Sequence, residues 1–152
     1  MKSTDSDARY WATSALAKIP NKQAGEILAA LLADNDATVQ QCAALALAGN
    51  PQENAMDDLL SQLSNPSSQM RRLAGNALIA LGDKAILGLH KTLEDGVEIA
   101  RIETVRALAH IGDQRSITLL FQLLDQDSTI VKYWAEEGLD RLGIGMKFFS
   151  PN

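Results

Sequence analysis

Few side chains in this sequence are of the kinds that do chemistry, and their spacing limits what that chemistry could be. The single cysteine is Cys42, and the two histidines are His90 and His110. A thiolate nucleophile needs a basic partner, and no histidine stands near Cys42 in the chain. Acidic residues gather at Asp34-Asn35-Asp36, Glu94-Asp95 and Asp125-Gln126-Asp127. The first cluster opens like a calcium loop, but the internal glycine and the closing bidentate glutamate of such a loop are missing. Carboxylates so placed read as helix caps and first-turn acids. The pairs Asp57-Asp58 and Glu136-Glu137 are adjacent, so on a helix they point about 100° apart and make a poor acid/base dyad. Each histidine sits alone in an apolar helical run. There is no phosphate-cradling glycine loop, no zinc-type ligand spacing and no Gly-x-Ser-x-Gly elbow. The sequence therefore predicts no catalytic residue, no cofactor and no metal site.

Composition supports that reading. The 152 residues are 46% hydrophobic and 5% aromatic, the apolar share coming mostly from alanine and leucine, which favour helix. Fourteen basic residues stand against 19 acidic ones, a net charge of −5, which argues against a nucleic-acid binder. No stretch approaches the roughly 20 apolar residues of a membrane span, and the N-terminus lacks the apolar run of a secretory signal. With one cysteine and no internal disulfide, the expectation is a cytoplasmic protein.

The elements that would position any site emerge from an internal repeat. Val131-Lys132, Ala135, Leu139 and Leu142-Gly143 reappear upstream as Ala100-Arg101, Thr104, Leu108 and Ile111-Gly112, then as Met70-Arg71, Ala74, Leu78 and Leu81-Gly82. Further back stand Val39-Gln40, Ala43, Leu47 and Asn50-Pro51, and first of all Ala8-Arg9, Ala12, Leu16 and Ile19-Pro20. The closing positions 20, 51, 82, 112 and 143 set a period of about 31 residues. Apolar positions within each repeat fall on one side of a helix, giving an amphipathic first helix. Asp36, Ser67 and Asp127 or Ser128 are the expected caps; glycine or proline ends each first helix. Second apolar runs follow at Ala24 to Leu32, Ala55 to Leu63, Ala85 to Leu93 and Ile117 to Leu124.

A hairpin of this kind cannot bury its apolar stripe alone, so neighbours must stack. The fold expected is all-α, an α-solenoid of four hairpins plus a final helix, forming a single domain over residues 1–152. Its repeats run 5–34, 35–65, 66–95, 96–126 and 127–143, and residues 144–152 form a tail that breaks the pattern. "MRRLAGNALIALGDKAILGLHKTL" and "ARIETVRALAHIGDQRSITLLFQLL" carry a motif that resembles the short HEAT-like repeats of the phycobilisome-lyase type. That resemblance covers about residues 5–143 and implies the fold far more specifically than the function. Deoxyhypusine hydroxylases use similar repeats with His-Glu pairs at an iron site, and this sequence has no His-Glu dipeptide.

The column Arg9, Gln40, Arg71, Arg101, Lys132 is expected to brace acidic groups or helix ends of adjoining repeats, with Asp36 and Asp127 among the partners. A solenoid presents its second helices along one side, and wheel phase puts Glu26, Asp57, Lys91, Thr118 and Gln122 there, with Met56 and Phe121 nearer the edge. Both tryptophans and both tyrosines occur in one repeat slot sampled at the two ends, as Tyr10-Trp11 and Tyr133-Trp134. Trp11 and Trp134 are expected to cover apolar surface at the ends or to grip a partner, with Tyr10 and Tyr133 pointing outward. Met146, Phe148 and Phe149 of the tail either fold back as a cap or expose an apolar patch. The functional expectation is a non-enzymatic scaffold binding a protein partner, as a monomer by default. A phycobilin lyase-like subunit or other chromophore-handling protein is the alternative implied by the resemblance, and a segment of a larger HEAT-repeat protein is a third.

Overall fold

The computed structural model describes residues 5–125 and 128–145, and every regular element among them is helical. Contacts divide the chain into two compact units, residues 1–81 and 82–152. In the first unit, α1 (Ser6–Leu16), α3 (Ala37–Gly49) and α5 (Ser68–Leu81) lie side by side, while α2 (Lys22–Leu31) packs on α3 and α4 (Met56–Gln62) on α5. In the second, α6 (Ile86–Glu94) packs on α7 (Glu98–Ile111), α8 (Ile117–Leu123) packs on α9 (Thr129–Arg141), and α7 lies along α9. Within each unit, a second helix thus seals the first helix of the following repeat.

Local chemistry sets the helix starts. The Asp36 carboxylate accepts from the amides of Thr38 and Val39, Ser67 Oγ from the Met70 amide, and Ser128 Oγ from the Val131 amide. Each satisfies a donor left free by the first turn. Asp5 and Asn21 do the same for α1 and α2. Asp127 lies outside the described residues. The stops at Gly112 and Gly143 work through positive φ, 65° and 77°, which only glycine adopts without strain. The first helix ends earlier than its proline suggests. Leu16 is its last residue, and the amides of Lys18 and Ile19 turn to i→i+3 bonds, to the carbonyls of Ala15 and Leu16, because Pro20 disfavours helical geometry in the residue before it.

The core follows the repeat. Val39, Met70, Ala100 and Val131 are at most 1% exposed, and Leu47, Leu78, Leu108 and Leu139 are fully buried. The second helices show a further column, Ala24, Ala55, Ala85 and Ser116, each followed four residues on by a buried leucine: Leu28, Leu59, Leu89 and Leu120. The second run of the fourth repeat therefore begins at Ser116, one residue before the expected Ile117. A serine in an otherwise alanine column hides the register from a purely apolar pattern.

Candidate interaction surfaces

Three members of the basic column, Arg9, Gln40 and Arg71, hold the loops between repeats. Arg9 Nε donates to Asp34 Oδ2 at 2.9 Å, and its Nη2 donates to Asp34 Oδ1 at 3.2 Å and to Asn35 Oδ1 at 3.0 Å. Both side chains of this ion pair are only 9% exposed. Gln40 Nε2 donates to the Asp34 carbonyl from the other side of the same loop. Arg71 Nη1 likewise clasps the carbonyls of Asn65 at 2.8 Å and Pro66 at 3.0 Å. Gln40 therefore fits its place, since Arg9 already occupies the Asp34 carboxylate and only a carbonyl remains to be held. Burial pushes the Asp34 carboxyl up, but the Asp36 amide and the Arg9 guanidinium outweigh it and hold it below its ordinary value. The Asp34 carboxylate of the loop that opens like a calcium site is thus committed to the Asp36 amide and a guanidinium. Among the described residues, no three histidine, cysteine or acidic side chains converge as metal ligands do.

The histidines take structural positions. His90 Nε2 and the buried Ser116 Oγ are hydrogen-bonded at 3.0 Å, which satisfies the one hydroxyl in the alanine column. His110 Nδ1 donates to the Arg106 carbonyl at 3.0 Å, and its ring lies 5.2 Å from that of Trp134. Arg106 itself is 2% exposed and paired with Glu103 at 2.6 Å, an ion pair that no repeat slot foretold because it occurs in α7 alone. Cys42 is half-buried and burial pushes its thiol up, away from thiolate chemistry.

The two aromatic slots diverge. Trp134 is half-buried against the core of Val105, Leu120, Val131 and Leu139, with Tyr133 exposed at its edge. Trp11 is 69% exposed and makes an edge contact with Tyr10 at 5.3 Å. It covers little of its own unit. Tyr10 and Trp11 instead wall a cleft of about 410 Å³ with Ser6, Asp7, Asp36 and Thr38. A wholly apolar cleft of about 340 Å³ adjoins α1, lined by Ala12, Ala15, Leu16, Ile19 and Ile27.

Of the surface residues expected on the second helices, Glu26 and Asp57 in the first unit and Lys91, Thr118, Phe121 and Gln122 in the second are exposed, and Met56 is half-buried. Glu26 lies 4.0 Å from Lys22, and Lys91 pairs with Asp95 at 3.2 Å. Gln122 lines a cleft of about 210 Å³ with Leu93, Glu94, Arg101, Leu119 and Leu123, and its neighbour Phe121 is 41% exposed. The structure brings Gln122 to a cleft and leaves Glu26 and Asp57 on open helix surface. Sequence reasoning missed Glu94, Arg101 and the three leucines of that cleft, since their convergence depends on how α6, α7 and α8 meet. The tail residues Met146, Phe148 and Phe149 lie outside the described residues. No described helix is long and apolar enough to cross a membrane.

Against this geometry the comparisons are consistent. A search of curated proteins gives no match. Among solved structures, a chain of the complex of CpcE and CpcF of phycocyanin lyase from Nostoc sp. PCC7120 superposes with a TM-score of 0.65 at 24% identity, over 93% of this chain and 61% of that one. This protein thus spans less than two thirds of that lyase chain. An engineered protein is similar at 26% identity and TM-score 0.55, over 95% of this chain and 77% of its own. A designed armadillo repeat protein in complex with a (KR)4 peptide matches at 20% identity and TM-score 0.59, over 92% and 77% of the two chains. These likenesses fix the fold class as all-α, of the α-solenoid type. Residues 8–34 match the PBS lyase HEAT-like repeat, residues 56–140 match HEAT repeats, and the chain accordingly belongs to the HEAT-repeat family.

Proposed function

We propose that this protein is a non-enzymatic interaction module that holds a protein segment in the cleft among α6, α7 and α8. One observation carries the reading. The cleft joins an apolar floor, Leu93, Leu119 and Leu123, to two opposite charges, Glu94 and Arg101, and to the amide of Gln122. An extended or helical peptide offers what that lining takes: apolar side chains for the floor, and polar groups for the Glu94 carboxylate and the Gln122 amide. Phe121, exposed beside it, supplies an aromatic contact of the kind that anchors interfaces. The repeat fold itself presents an extended side-chain surface, which suits a scaffold.

The test is affinity purification of the full chain from its native cell, compared with Phe121→Glu and Leu119→Glu variants whose melting is unchanged. Proteins retained by the wild type and lost from both variants support the reading. Equal retention by all three proteins sinks it. A second reading, a lyase-like subunit that handles a bilin, is favoured by the likeness to the CpcE and CpcF complex and by the match of residues 8–34. Visible absorbance of the protein after mixing with phycocyanobilin and gel filtration separates the two, since a scaffold carries no colour.

A further inference from the structure

We propose that this protein pairs with a second copy of itself through the outward face of α1, the two helices running antiparallel about a two-fold axis level with Thr13. The starting observation is a broken column. In every later repeat the slots of Ala8, Ala12 and Leu16 are at most 1% exposed, because the helices of the preceding repeat cover them. On α1 the same slots lie open: Ala8 is exposed, Ala12 and Leu16 are half-buried, and Ile19 is 43% exposed. The apolar cleft beside them is the place where the interface between repeats would continue. A contiguous exposed apolar face of this kind marks an interaction surface.

A second copy fits this face because the face complements itself. Ala8, Ala12, Ala15 and Ile19 recur at helical spacing and form one stripe. Their small size lets two helices approach closely. Antiparallel pairing about the level of Thr13 sets each stripe against its own reverse, Ala8 near Ile19 and Ala12 near Ala15 of the other copy. The charges agree with that register. Asp7 and Lys18 are exposed near opposite ends of α1, on the same flank of the stripe as Trp11. Reversal brings Lys18 of the partner to Asp7 and Trp11, at the cleft that already holds two carboxylates, Asp7 and Asp36, and an indole face. A lysine there meets both an opposite charge and an aromatic surface. The contact is isologous, each copy giving and receiving the same lysine, so it closes at a dimer rather than growing a filament.

Sedimentation equilibrium of the full chain over a wide concentration range tests the pairing. The wild type should sediment as a reversible dimer. Trp11→Ala should weaken it about tenfold, and Ala15→Glu should abolish it. Asp7→Lys should also weaken the dimer, and the exchange Asp7→Lys/Lys18→Asp should recover it, a readout that mere misfolding would not give. All four variants alter exposed side chains, and unchanged circular dichroism melting of the dilute monomer confirms that they fold. A wild type that stays monomeric throughout overturns the proposal. So does a dimer indifferent to Trp11→Ala and Ala15→Glu, or an α1 face occupied by a different protein. None of these outcomes bears on the cleft among α6, α7 and α8, so the two readings stand or fall separately.

Discussion

Replacing Arg9 by methionine should lower the stability of the first unit by about 2–3 kcal/mol. The guanidinium donates twice to Asp34 and once to Asn35, and both members of the ion pair are 9% exposed. Methionine keeps the apolar stem and removes the charge, leaving the Asp34 carboxylate with the Asp36 amide at 2.9 Å. A buried charge stripped of one partner costs several kcal/mol, and hydrogen bonds to charged groups contribute about 1.5–3 kcal/mol each, so 2–3 kcal/mol is a restrained figure for a pair at the edge of the core. For a chain of this size it corresponds to a fall of roughly 5–10 °C in melting temperature. The pH dependence gives a second, independent readout. Burial raises the Asp34 carboxyl, but the Asp36 amide and Arg9 together lower it below its ordinary 3.8. A carboxyl lower in the folded state contributes stability that is complete above the unfolded value and lost as pH falls through the folded one. Asp34→Asn should therefore flatten the acid limb of the stability curve below pH 3.8 while lowering the neutral plateau. Urea unfolding of wild type, Arg9→Met and Asp34→Asn at a series of pH values measures both. A neutral-pH stability unchanged in Arg9→Met, or an acid limb that Asp34→Asn leaves untouched, would refute the brace as a source of stability.

Three further outcomes are expected. His90→Ala should cost about 1–3 kcal/mol, because the fully buried Ser116 hydroxyl loses its partner, whereas Ser116→Ala should cost less than about 1 kcal/mol, since alanine fills that slot in the other repeats; the double variant should recover part of the His90→Ala loss in a double-mutant cycle. Gly138→Ala should destabilise the second unit by about 1–2 kcal/mol despite the better helix propensity of alanine, because the added Cβ would meet the Ala109 backbone at 3.0 Å and Leu120 Cδ1 at 2.9 Å; thermal melting checks it. The Asp113 carboxyl, held at about 2 by hydrogen bonds from the Arg115 side chain and amide, should move toward 3.8 in Arg115→Ala, as read by NMR titration of its carboxyl carbon. Its stabilisation, present above 3.8 and lost as pH falls through about 2, should shrink accordingly.

What the sequence determined by itself is periodic and local. Helix positions, the caps at Asp36, Ser67 and Ser128, the glycine stops and the buried leucine columns all follow from the spacing of side chains along one helix, and spacing is visible in a string of letters. The all-α solenoid class follows from the same spacing, repeated about every 31 residues, whereas the HEAT family is a resemblance that the matches over residues 8–34 and 56–140 show. The bracing role of Arg9, Gln40 and Arg71 was also legible, because residues held at one phase meet the loop that opens or closes each repeat; the carboxylate that Arg9 meets is Asp34 rather than Asp36. Tertiary structure alone decided which of two equivalent slots is covered. Trp11 and Trp134 occupy one position in the repeat, yet Trp134 packs on the core of Val105, Leu120, Val131 and Leu139 while Trp11 is 69% exposed. The same physics placed His90 against Ser116, buried Arg106 beside Glu103, and drew Glu94, Arg101 and Gln122 to one cleft. Burial depends on what lies across a joint, and a repeat pattern describes each helix without saying what stands next to it.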